Sequence, residues 1–448
     1  MNQKGLFFER LSNGVQVVGE DFDNVQSVSI GFFFKSGVLT ESPEILGVSH
    51  FIEHMMFKGT SRRSAKDIAR QFDRIGGYLN AFTAKDYCCY YSRVVKDHLP
   101  VAVEVLADMV QDSVFDKTEL ERERGVILEE IKMYEDSPDE IIHELLGQSL
   151  WGSSPLGRPI LGTSETVGGI SRKAIMDVYE RQYIAENLLV CIAGNFDRGK
   201  FLKLLEKSLA RLRRGTLKLK NYLPKSVFET TVFHKEIEQV HLAIGSPGIK
   251  YRDPLRYAVT VLNTAFGGGM SSRLFQEIRE KRGLAYSVYS YHTSFSNTGF
   301  FAIYAGTSIE HLKKVISLIF SSIKKLVKSG LTRTELKESK EQIKGNLLMA
   351  LESTTNRMNR LMTGFLYGVD PVDPEISIEP ILKVTDDQLI EAAGEILDEK
   401  RMALTIISPS AAAVDIIRKS EFSNRPVRSC SLGKTSSAFS LNKIITGE

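Results

Sequence analysis

Two histidines and a glutamate with metal-binding spacing occur in the segment His50-Phe51-Ile52-Glu53-His54. In a helix, residues four apart lie on one face, so His50 and His54 can bind the same metal ion. Glu53 is three residues from His50 and shares that face, within reach of a water molecule on the metal. The order H-x-x-E-H inverts the H-E-x-x-H zinc motif, and both orders are typical of peptidases. The segment therefore predicts a metal centre on a helix.

A third ligand is needed, because a catalytic zinc ion usually has three protein ligands and one open position. The acidic segment 119–131 provides candidates. Glu123 and Glu130 are seven residues apart, which is two helical turns, so both side chains lie on one side of the helix. Spacing alone does not choose between Glu129 and Glu130 as the ligand.

The bulk composition excludes several other classes of protein. The chain has 448 residues, of which 42% are hydrophobic and 25% charged, as in ordinary folded proteins rather than disordered or rod-like ones. Its net charge of +3 gives no reason to expect nucleic acid or an anionic membrane as a partner. No apolar run reaches 18 residues, so we expect no membrane span.

The cysteines and the amino terminus bear on location. Four cysteines, two of them adjacent, do not make a disulfide framework, which favours a reducing compartment. Neither a secretory signal nor an Arg- and Ser-rich transit segment precedes the first predicted strand. We therefore expect a cytoplasmic bacterial protein, with a trimmed mature protein of the mitochondrial matrix as the alternative.

The order of predicted elements occurs twice along the chain. Each half reads as two strands, two helices, two strands, long helices and a closing strand. The long helices include 117–148 in the first half and 332–367 in the second. This pattern predicts an α+β fold of two tandem homologous domains, each a mostly antiparallel β-sheet covered by helices on one face. The predicted boundaries are a metal-binding domain at 1–212, a linker at 213–226, a second domain at 227–412 without a metal motif, and a poorly ordered tail at 413–448.

The segment 50–60, followed by 123–130, resembles the pitrilysin–insulysin family of zinc peptidases, also called inverzincins. The similarity is strongest to the short branch that includes the mitochondrial processing peptidase β subunit and its bacterial homologues, and it extends over about residues 5–410. Glu130 follows His54 by 76 residues, the spacing at which the family has its third ligand, so the resemblance selects Glu130. It also matches Glu123 to a family glutamate that supports the active site.

The resemblance implies a zinc endopeptidase with one Zn²⁺ per chain, held by His50, His54 and Glu130. Zinc lowers the pKa of a bound water from 15.7 towards about 7 and polarises the scissile carbonyl. Glu53 would take the proton of that water as general base. By resemblance, Glu53 then passes the proton to the leaving amine.

Peptide binding is the role that the resemblance implies for the segment 76–83. This segment matches a family edge strand near the zinc, in which Asn80 and Ala81 hold the substrate backbone. An edge strand has free N–H and C=O groups, and these can pair with an extended peptide. Without the resemblance, the segment reads as an ordinary hairpin strand.

The second half contains two further matches. The run Gly267-Gly268-Gly269 resembles the family's glycine-rich substrate loop; it lacks the Gly-Lys-Ser/Thr of a P-loop, so nucleotide binding is not expected. Arg279 and Tyr286 match a family pair that reaches the active site from this half. By resemblance, Arg279 would anchor the substrate backbone or a nearby carboxylate, and Tyr286 would donate a hydrogen bond to the developing oxyanion. Without the resemblance, these two residues read as a surface arginine and a core tyrosine.

The chain length predicts a partner subunit, because long family members carry the two kinds of domain in a chain about twice as long. We expect a homodimer that encloses a chamber for peptides or unfolded, presequence-like segments. A heterodimer with an inactive paralogue is the alternative. The competing function is that of a non-catalytic core or assembly subunit of the same fold.

Overall fold

The computed structural model describes residues 5–217, 223–369 and 378–432. Up to residue 217, the helices and strands are β1 (Leu6–Arg10), β2 (Gln16–Asp21), β3 (Ser27–Phe34), α1 (Val48–Met56), α2 (Ala65–Asp73), β4 (Tyr78–Thr83), β5 (Cys88–Val95), α3 (Leu99–Asp112), α4 (Lys117–Asp136), α5 (Pro138–Trp151), α6 (Ser164–Gly169), α7 (Arg172–Gln182), β6 (Leu188–Gly194) and α8 (Arg198–Ser208). From residue 223 onward they are β7 (Thr230–His234), β8 (Val240–Gly248), α9 (Arg256–Gly267), β9 (Ala285–Ser294), β10 (Gly299–Thr307), α10 (Leu312–Ser329), α11 (Arg333–Ala350), α12 (Thr354–Leu366), α13 (Glu379–Leu382), α14 (Asp386–Ile396), β11 (Ala403–Ser408), α15 (Ala412–Arg418) and β12 (Val427–Ser431).

The first compact unit contains residues 5–131, 159–217 and 348–369. Its six described strands form one sheet in the order β1-β2-β6-β3-β5-β4. The sheet is mostly antiparallel, with β2 and β6 as a parallel pair. Strand β4 therefore lies at an edge of this sheet, as the sequence predicts for the segment 76–83.

Successive side chains along each strand point to opposite faces of the sheet, so the core of the first unit has two layers. Ile30, Phe32 and Phe34 of β3 are buried with the residues of α1 and α3. Phe33 points to the opposite face, where it joins a smaller apolar cluster with Met358 of α12. Helix α12 also contacts β2 and β6, so this helix from late in the chain covers the second face of the sheet.

The second compact unit contains residues 132–158, 223–347 and 378–432. Its six described strands form a sheet in the order β12-β7-β11-β8-β10-β9, in which β7 pairs in parallel with both β11 and β12. Helix α5, from the first half of the sequence, packs on β8 and β11. Two α+β units with six-stranded mixed sheets confirm the predicted fold class. The prediction that helices cover one face of each sheet is wrong, because α12 and α5 pack on the second faces.

The two longest predicted helices are each broken in the structure. The prediction of a helix over 117–148 is wrong at Ser137, where α4 has ended and α5 begins with Pro138. A proline disfavours helical geometry in the residue before it, and Ser137 has extended dihedral angles. The helix predicted over 332–367 is interrupted at Ser353, which caps α12 by accepting a hydrogen bond from the N–H of Asn356.

At each break the chain passes from one compact unit to the other, so each unit contains one helix from the opposite half of the sequence. After each break the chain enters a helix that belongs to the other unit, α5 in one case and α12 in the other. The compact units are therefore discontinuous in sequence, whereas the predicted domains at 1–212 and 227–412 are continuous stretches. Sequence periodicity identifies an apolar helix face but does not say which sheet the face covers.

The linker and the tail lie partly outside the described residues. Residues 213–217 and 223–226 form no helix or strand, and residues 218–222 of the predicted linker are not described. The predicted poorly ordered tail begins at 413, yet α15 and β12 follow that position, and β12 pairs with β7. Residues 433–448 of the tail lie outside the described part.

Two further sequence expectations concern cysteines and membrane spans. The four cysteines are free thiols, three of them buried. Among the described helices, none combines the length and the apolar character that crossing a bilayer requires.

An ion pair at the start of α11 makes the stability of the second unit depend on pH. Glu335 accepts hydrogen bonds from Arg273 at 2.5 and 2.7 Å and from the N–H of Thr332 at 2.7 Å. Burial alone would raise the pKa of Glu335, but these hydrogen bonds outweigh it and lower the pKa to about 2. The stabilisation is therefore complete above pH about 4.5 and is lost as the pH falls towards 2.

We expect Glu335→Gln to lower the free energy of unfolding by about 1–2 kcal/mol at pH 7, allowing for solvent screening. The difference from the unsubstituted protein should shrink as the pH falls from 5 to about 2.5. Urea unfolding across this pH range measures it. Glu379→Gln, which breaks an exposed pair with Lys383, is the control and should have little effect. A Glu335→Gln difference that is independent of pH would contradict this explanation.

Candidate metal centre

Helix α1 is held at its start by a buried carboxylate. Gly47 precedes the helix with a φ of 89°, a conformation that favours glycine, and a Cβ at this position would lie 2.5 Å from the carbonyl oxygen of Leu161. Glu41 accepts hydrogen bonds from the N–H groups of Gly47 and Ser49, both at 2.8 Å. A negative charge at this helix end is favourable, and it fixes the position of the helix that carries both histidines.

Helix α4 presents its two glutamates from one face. Asp116 caps its start by accepting hydrogen bonds from two backbone N–H groups of the first turn, at 2.8 and 3.1 Å. Leu120 and Ile127 are buried in the core of the first unit. Glu123 and Glu130 each lie three residues beyond one of them, on an adjoining face.

His50, His54 and Glu130 converge in the first unit. The Nε2 atoms of His50 and His54 lie 3.7 and 3.4 Å from the same Oε2 atom of Glu130. One ligand atom from each residue falls within 4.8 Å of the other two. In a tetrahedral zinc site with bonds of about 2.0–2.2 Å, ligand atoms lie roughly 3.3–3.6 Å apart. The three side chains therefore fit a metal ion, and each comes from the predicted ligand set.

The state of His50 also suits a ligand. Burial, reinforced by the neighbouring His54, lowers the pKa of His50 to about 4, so its imidazole is neutral at pH 7. The Nδ1 atom is buried and has no hydrogen-bond partner among the residues that the structure describes. A neutral imidazole offers a lone pair, which is what a metal ion requires of a histidine.

His54 lies between the two glutamates of α4. Its Nε2 faces Glu130, and its Nδ1 is 3.1 Å from Oε2 of Glu123. Burial opposes the charged form of His54, but the hydrogen bonds to Glu130 and Glu123 outweigh it and raise its pKa. The hydrogen bond from His54 in turn lowers the pKa of Glu130. These mutual contacts compensate charged groups that would otherwise be costly to bury.

Glu123 lies behind the cluster. The residue is only 5% exposed, and its Oε1 atom is 2.6 Å from Nζ of Lys58. A carboxylate that accepts the second ring N–H of a metal-binding histidine orients the ring and fixes its tautomer. This is the position of a supporting residue, as the resemblance implies for Glu123, and the structure places it beyond His54 rather than within the ligand set.

Glu53 is positioned by the edge strand. Thr83, the last residue of β4, donates a hydrogen bond of 2.5 Å to Oε2 of Glu53. Burial raises the pKa of Glu53, and the Thr83 hydrogen bond acts in the opposite direction. A carboxylate with a raised pKa suits a general base, because a general base works best when its pKa approaches the working pH.

Asn80 and Ala81 lie on the edge strand β4. Asn80 is exposed, donates a hydrogen bond of 2.6 Å to the hydroxyl of Tyr78, and accepts one of 2.8 Å from the N–H of Ala81. One edge of β4 pairs with β5 within the described sheet, which leaves its other edge without a strand. The predicted peptide-binding role of Asn80 and Ala81 stays a prediction.

The predicted substrate residues of the second half lie in the second unit. Arg279 belongs to a π-helix, Phe275–Glu280, and its guanidinium carbon lies 5.1 Å from the ring centre of Tyr286. Tyr286 on the edge strand β9 is 74% exposed, so it is not a core tyrosine. These positions leave both side chains accessible, and their role in substrate binding stays a prediction.

The glycine run has packing requirements of its own. Gly267 ends α9, and a Cβ there would lie 2.4 Å from the backbone nitrogen of Ser290. A Cβ at Gly268 would lie 2.7 Å from the Cα of Thr264, and one at Gly269 would lie 3.2 Å from the side chain of Gln342. Close approach therefore accounts for Gly267 and Gly268 without a ligand, and their predicted contact with substrate stays untested.

Three residues at the site were not found from the sequence. Lys58 follows His54 by four residues, a spacing that could have identified it. Thr83 lies within the predicted edge strand, but no pattern relates it to Glu53. Glu41 contacts α1 through a loop, and a single glutamate upstream of a helix gives no distinctive signal.

Solved structures with the same fold span most of this chain. A protease from Helicobacter pylori superposes with a TM-score of 0.84 at 22% identity, covering 90% of this chain and 99% of that one. A protein from Pseudomonas fluorescens, described as a peptidase M16 inactive domain, gives 0.83 at 21% identity, with 91% and 98% covered. At these identities the similarity concerns the fold, which is that of the M16 class of peptidase-like proteins.

Sequence relatives identify the family to which the chain belongs. The model described as Insulinase (Peptidase family M16) matches residues 16–164, and that described as Peptidase M16 inactive domain matches residues 169–343. YmxG of Bacillus subtilis, named an uncharacterized zinc protease, is 42% identical over 399 residues, covering 89% of this chain and 97% of the relative. A protein of Streptomyces coelicolor with the same description is 37% identical, with 89% and 88% covered. The chain belongs to the insulinase family, peptidase family M16.

The geometry distinguishes the two glutamates that spacing left open. Glu130 faces both histidines, whereas Glu129 is exposed on α4. We expect Glu130→Gln to lose bound metal, with at least a tenfold weaker affinity, because a neutral amide is a poor ligand. Glu129→Gln is the matched control and should keep its metal. Metal content after dialysis, measured by atomic emission, tests this, and equal metal content in the two variants would contradict the ligand assignment.

Proposed function

We propose that this protein is a zinc-dependent endopeptidase with one Zn²⁺ per chain. The observation that carries the proposal is the convergence of His50, His54 and Glu130, with the half-buried Glu53 on the same helix as the histidines. The description of family members as zinc proteases supports the choice of metal. Bound zinc would supply the Lewis acidity that polarises a scissile carbonyl and acidifies a water molecule.

The chain's own side chains account for the movement of protons. Glu53 accepts a proton from the attacking water on its carboxylate and later returns it to the nitrogen of the leaving amine. Thr83 keeps that carboxylate in place through the hydrogen bond to Oε2. Glu123 fixes the ring of His54 by accepting from Nδ1, which leaves Nε2 for the metal.

An extended peptide is the substrate class that fits this arrangement. The free edge of β4 offers backbone donors and acceptors to a peptide strand, and Asn80 and Ala81 lie on it. Because Thr83 of the same strand contacts Glu53, a peptide paired with β4 is brought towards the general base. Peptides and unfolded or presequence-like segments share this chemistry.

We further propose that two subunits form the working enzyme. The chain carries both the metal cluster, in its first unit, and the accessible pair Arg279 and Tyr286, in its second unit. In the homodimer that we propose, each metal site is completed by Arg279 and Tyr286 of the other subunit. The hydroxyl of Tyr286 would donate to the oxyanion, and Arg279 would hold the substrate backbone. A heterodimer with an inactive paralogue is the alternative assembly.

Replacing the general base should separate metal binding from cleavage. We expect Glu53→Gln to reduce cleavage of a peptide mixture at least a thousandfold while keeping about one zinc per chain, since Glu53 is not a ligand. Metal analysis and mass spectrometry of a peptide-library digest give the two readouts. Cleavage by the unsubstituted protein should stop with a chelator and return with zinc. Cleavage that persists in Glu53→Gln would contradict the mechanism.

Mixing two inactive variants tests the shared site. We expect Glu53→Gln and Arg279→Ala each to be inactive alone, and a mixture that forms mixed dimers to recover up to about a quarter of the activity per site. The recovery arises because one mixed pairing contains an intact Glu53 opposite an intact Arg279. Arg282→Ala, which changes a neighbouring arginine, is the control and should remain active by itself. Mixed dimers without recovered activity would argue against a site made by two subunits.

A non-catalytic role is the second candidate. Residues 169–343 match the model described as an inactive domain, and a chain of complex III from Candida albicans has the same fold with a TM-score of 0.81 at 18% identity. The zinc content and the library digest decide between the two functions. A chain without zinc and without chelator-sensitive cleavage would favour the core or assembly subunit.

A further inference from the structure

The ammonium group of Lys58 contacts the carboxylate behind the metal ligands. Its Nζ lies 2.6 Å from Oε1 of Glu123, and the lysine side chain is 29% exposed whereas that of Glu123 is 7% exposed. We propose that Lys58 is a positioning residue for the metal centre, acting on His54 through Glu123. The inference rests on the proposed metal site and assigns a role to a residue outside its ligand set.

Consecutive contacts connect Lys58 with the ligand atoms through Glu123. Oε1 of Glu123 meets Lys58, and Oε2 of the same carboxylate meets Nδ1 of His54 at 3.1 Å. The opposite ring atom of His54, Nε2, faces Glu130 at 3.4 Å. Because each oxygen of Glu123 has a different partner, the carboxylate cannot rotate without losing one of them. Lys58 thereby fixes the angle at which Glu123 meets the imidazole.

Charge gives Lys58 a second effect. A buried carboxylate is costly unless a cation and hydrogen bonds compensate it, and a neutral imidazole compensates it only in part. With Oε1 of Glu123 held by Lys58, Oε2 stays in place to accept the Nδ1 proton of His54. The tautomer with the proton on Nδ1 leaves the lone pair of Nε2 directed at the metal position.

The segment that carries Lys58 is held in place. The N–H of Lys58 donates to the carbonyl of Met55 at 3.0 Å, which continues the last turn of α1 and keeps Lys58 on the side of His54. Two residues later, Thr60 donates a hydrogen bond of 2.7 Å to Asp108, a fully buried carboxylate. Arg63 donates to the same carboxylate, also at 2.7 Å. The backbone at Lys58 is therefore fixed from both sides.

Zinc affinity of the metal-free protein measures this role directly. The full-length chain is stripped of metal and titrated with Zn²⁺ against a fluorescent chelator. We expect Lys58→Met and Lys58→Gln to bind Zn²⁺ about 10–100-fold more weakly, the usual effect of losing a partner behind a metal ligand. Lys58→Arg, which keeps the charge, should stay within about threefold of the unsubstituted protein. Lys66→Met removes an exposed lysine of α2 and is the control, with no expected change.

A double-mutant cycle tests whether Lys58 acts through Glu123. If it does, Lys58→Met should weaken zinc binding less than about twofold when Glu123 is already replaced by Gln. The visible spectrum of the Co²⁺-loaded protein should change in Lys58→Met and return in Lys58→Arg, because it reports the geometry of the ligands.

Three results would overturn the inference. The first is unchanged zinc affinity in Lys58→Met and Lys58→Gln, and the second is an equal loss with and without Glu123. The third is unfolding of both metal-free variants by circular dichroism, which would assign Lys58 to fold stability instead. If the unsubstituted protein itself bound no zinc, the proposed metal centre would fail, and this outcome is distinct from the other three.

Discussion

The structure depends on bringing two histidines of α1 and a glutamate of α4 into one partly buried cluster. Glu123 is 5% exposed, and a carboxylate in such surroundings is stable only when it has compensating partners. A series of side-chain contacts provides these partners. The three side chains of the cluster face one another, Glu123 contacts His54, and Lys58 contacts Glu123. A side chain missing from this arrangement would leave a buried polar group uncompensated.

The segments before and after α1 keep this helix in place. Glu41 holds the start of the helix, and the contacts of Asp108 hold the loop after its end. The sheet supplies the remaining constraint, because Thr83 at the end of the edge strand β4 meets Glu53. Strand β4 and helix α1 thus share one hydrogen bond at Glu53, the residue that we propose as general base.

Each sheet is covered on its second face by a helix from the other half of the sequence. Helix α12 supplies Met358 to the apolar face around Phe33, and α5 supplies Leu146 against Gly245 of β8. The second face of the first sheet is apolar and requires cover to exclude water. On the second sheet, Ser149 of α5 donates a hydrogen bond to Thr231 of β7 and accepts one from Thr405 of β11. Ser137 precedes α5 and Ser353 precedes α12, so each serine lies where one helix has ended and the helix of the other compact unit begins.

Much of the molecule follows from the sequence alone. The repeated order of strands and helices determined two similar α+β units, and the H-x-x-E-H spacing determined that both histidines share a helix face. Spacing in the sequence did not determine which of Glu129 and Glu130 faces the histidines. Nor did the sequence determine that Lys58 contacts Glu123, that Thr83 contacts Glu53, or that Glu41 holds the start of α1. Those contacts join segments far apart in the chain or depend on the rotation of a helix about its axis. Periodicity records which faces are apolar, and only tertiary packing decides what each face meets.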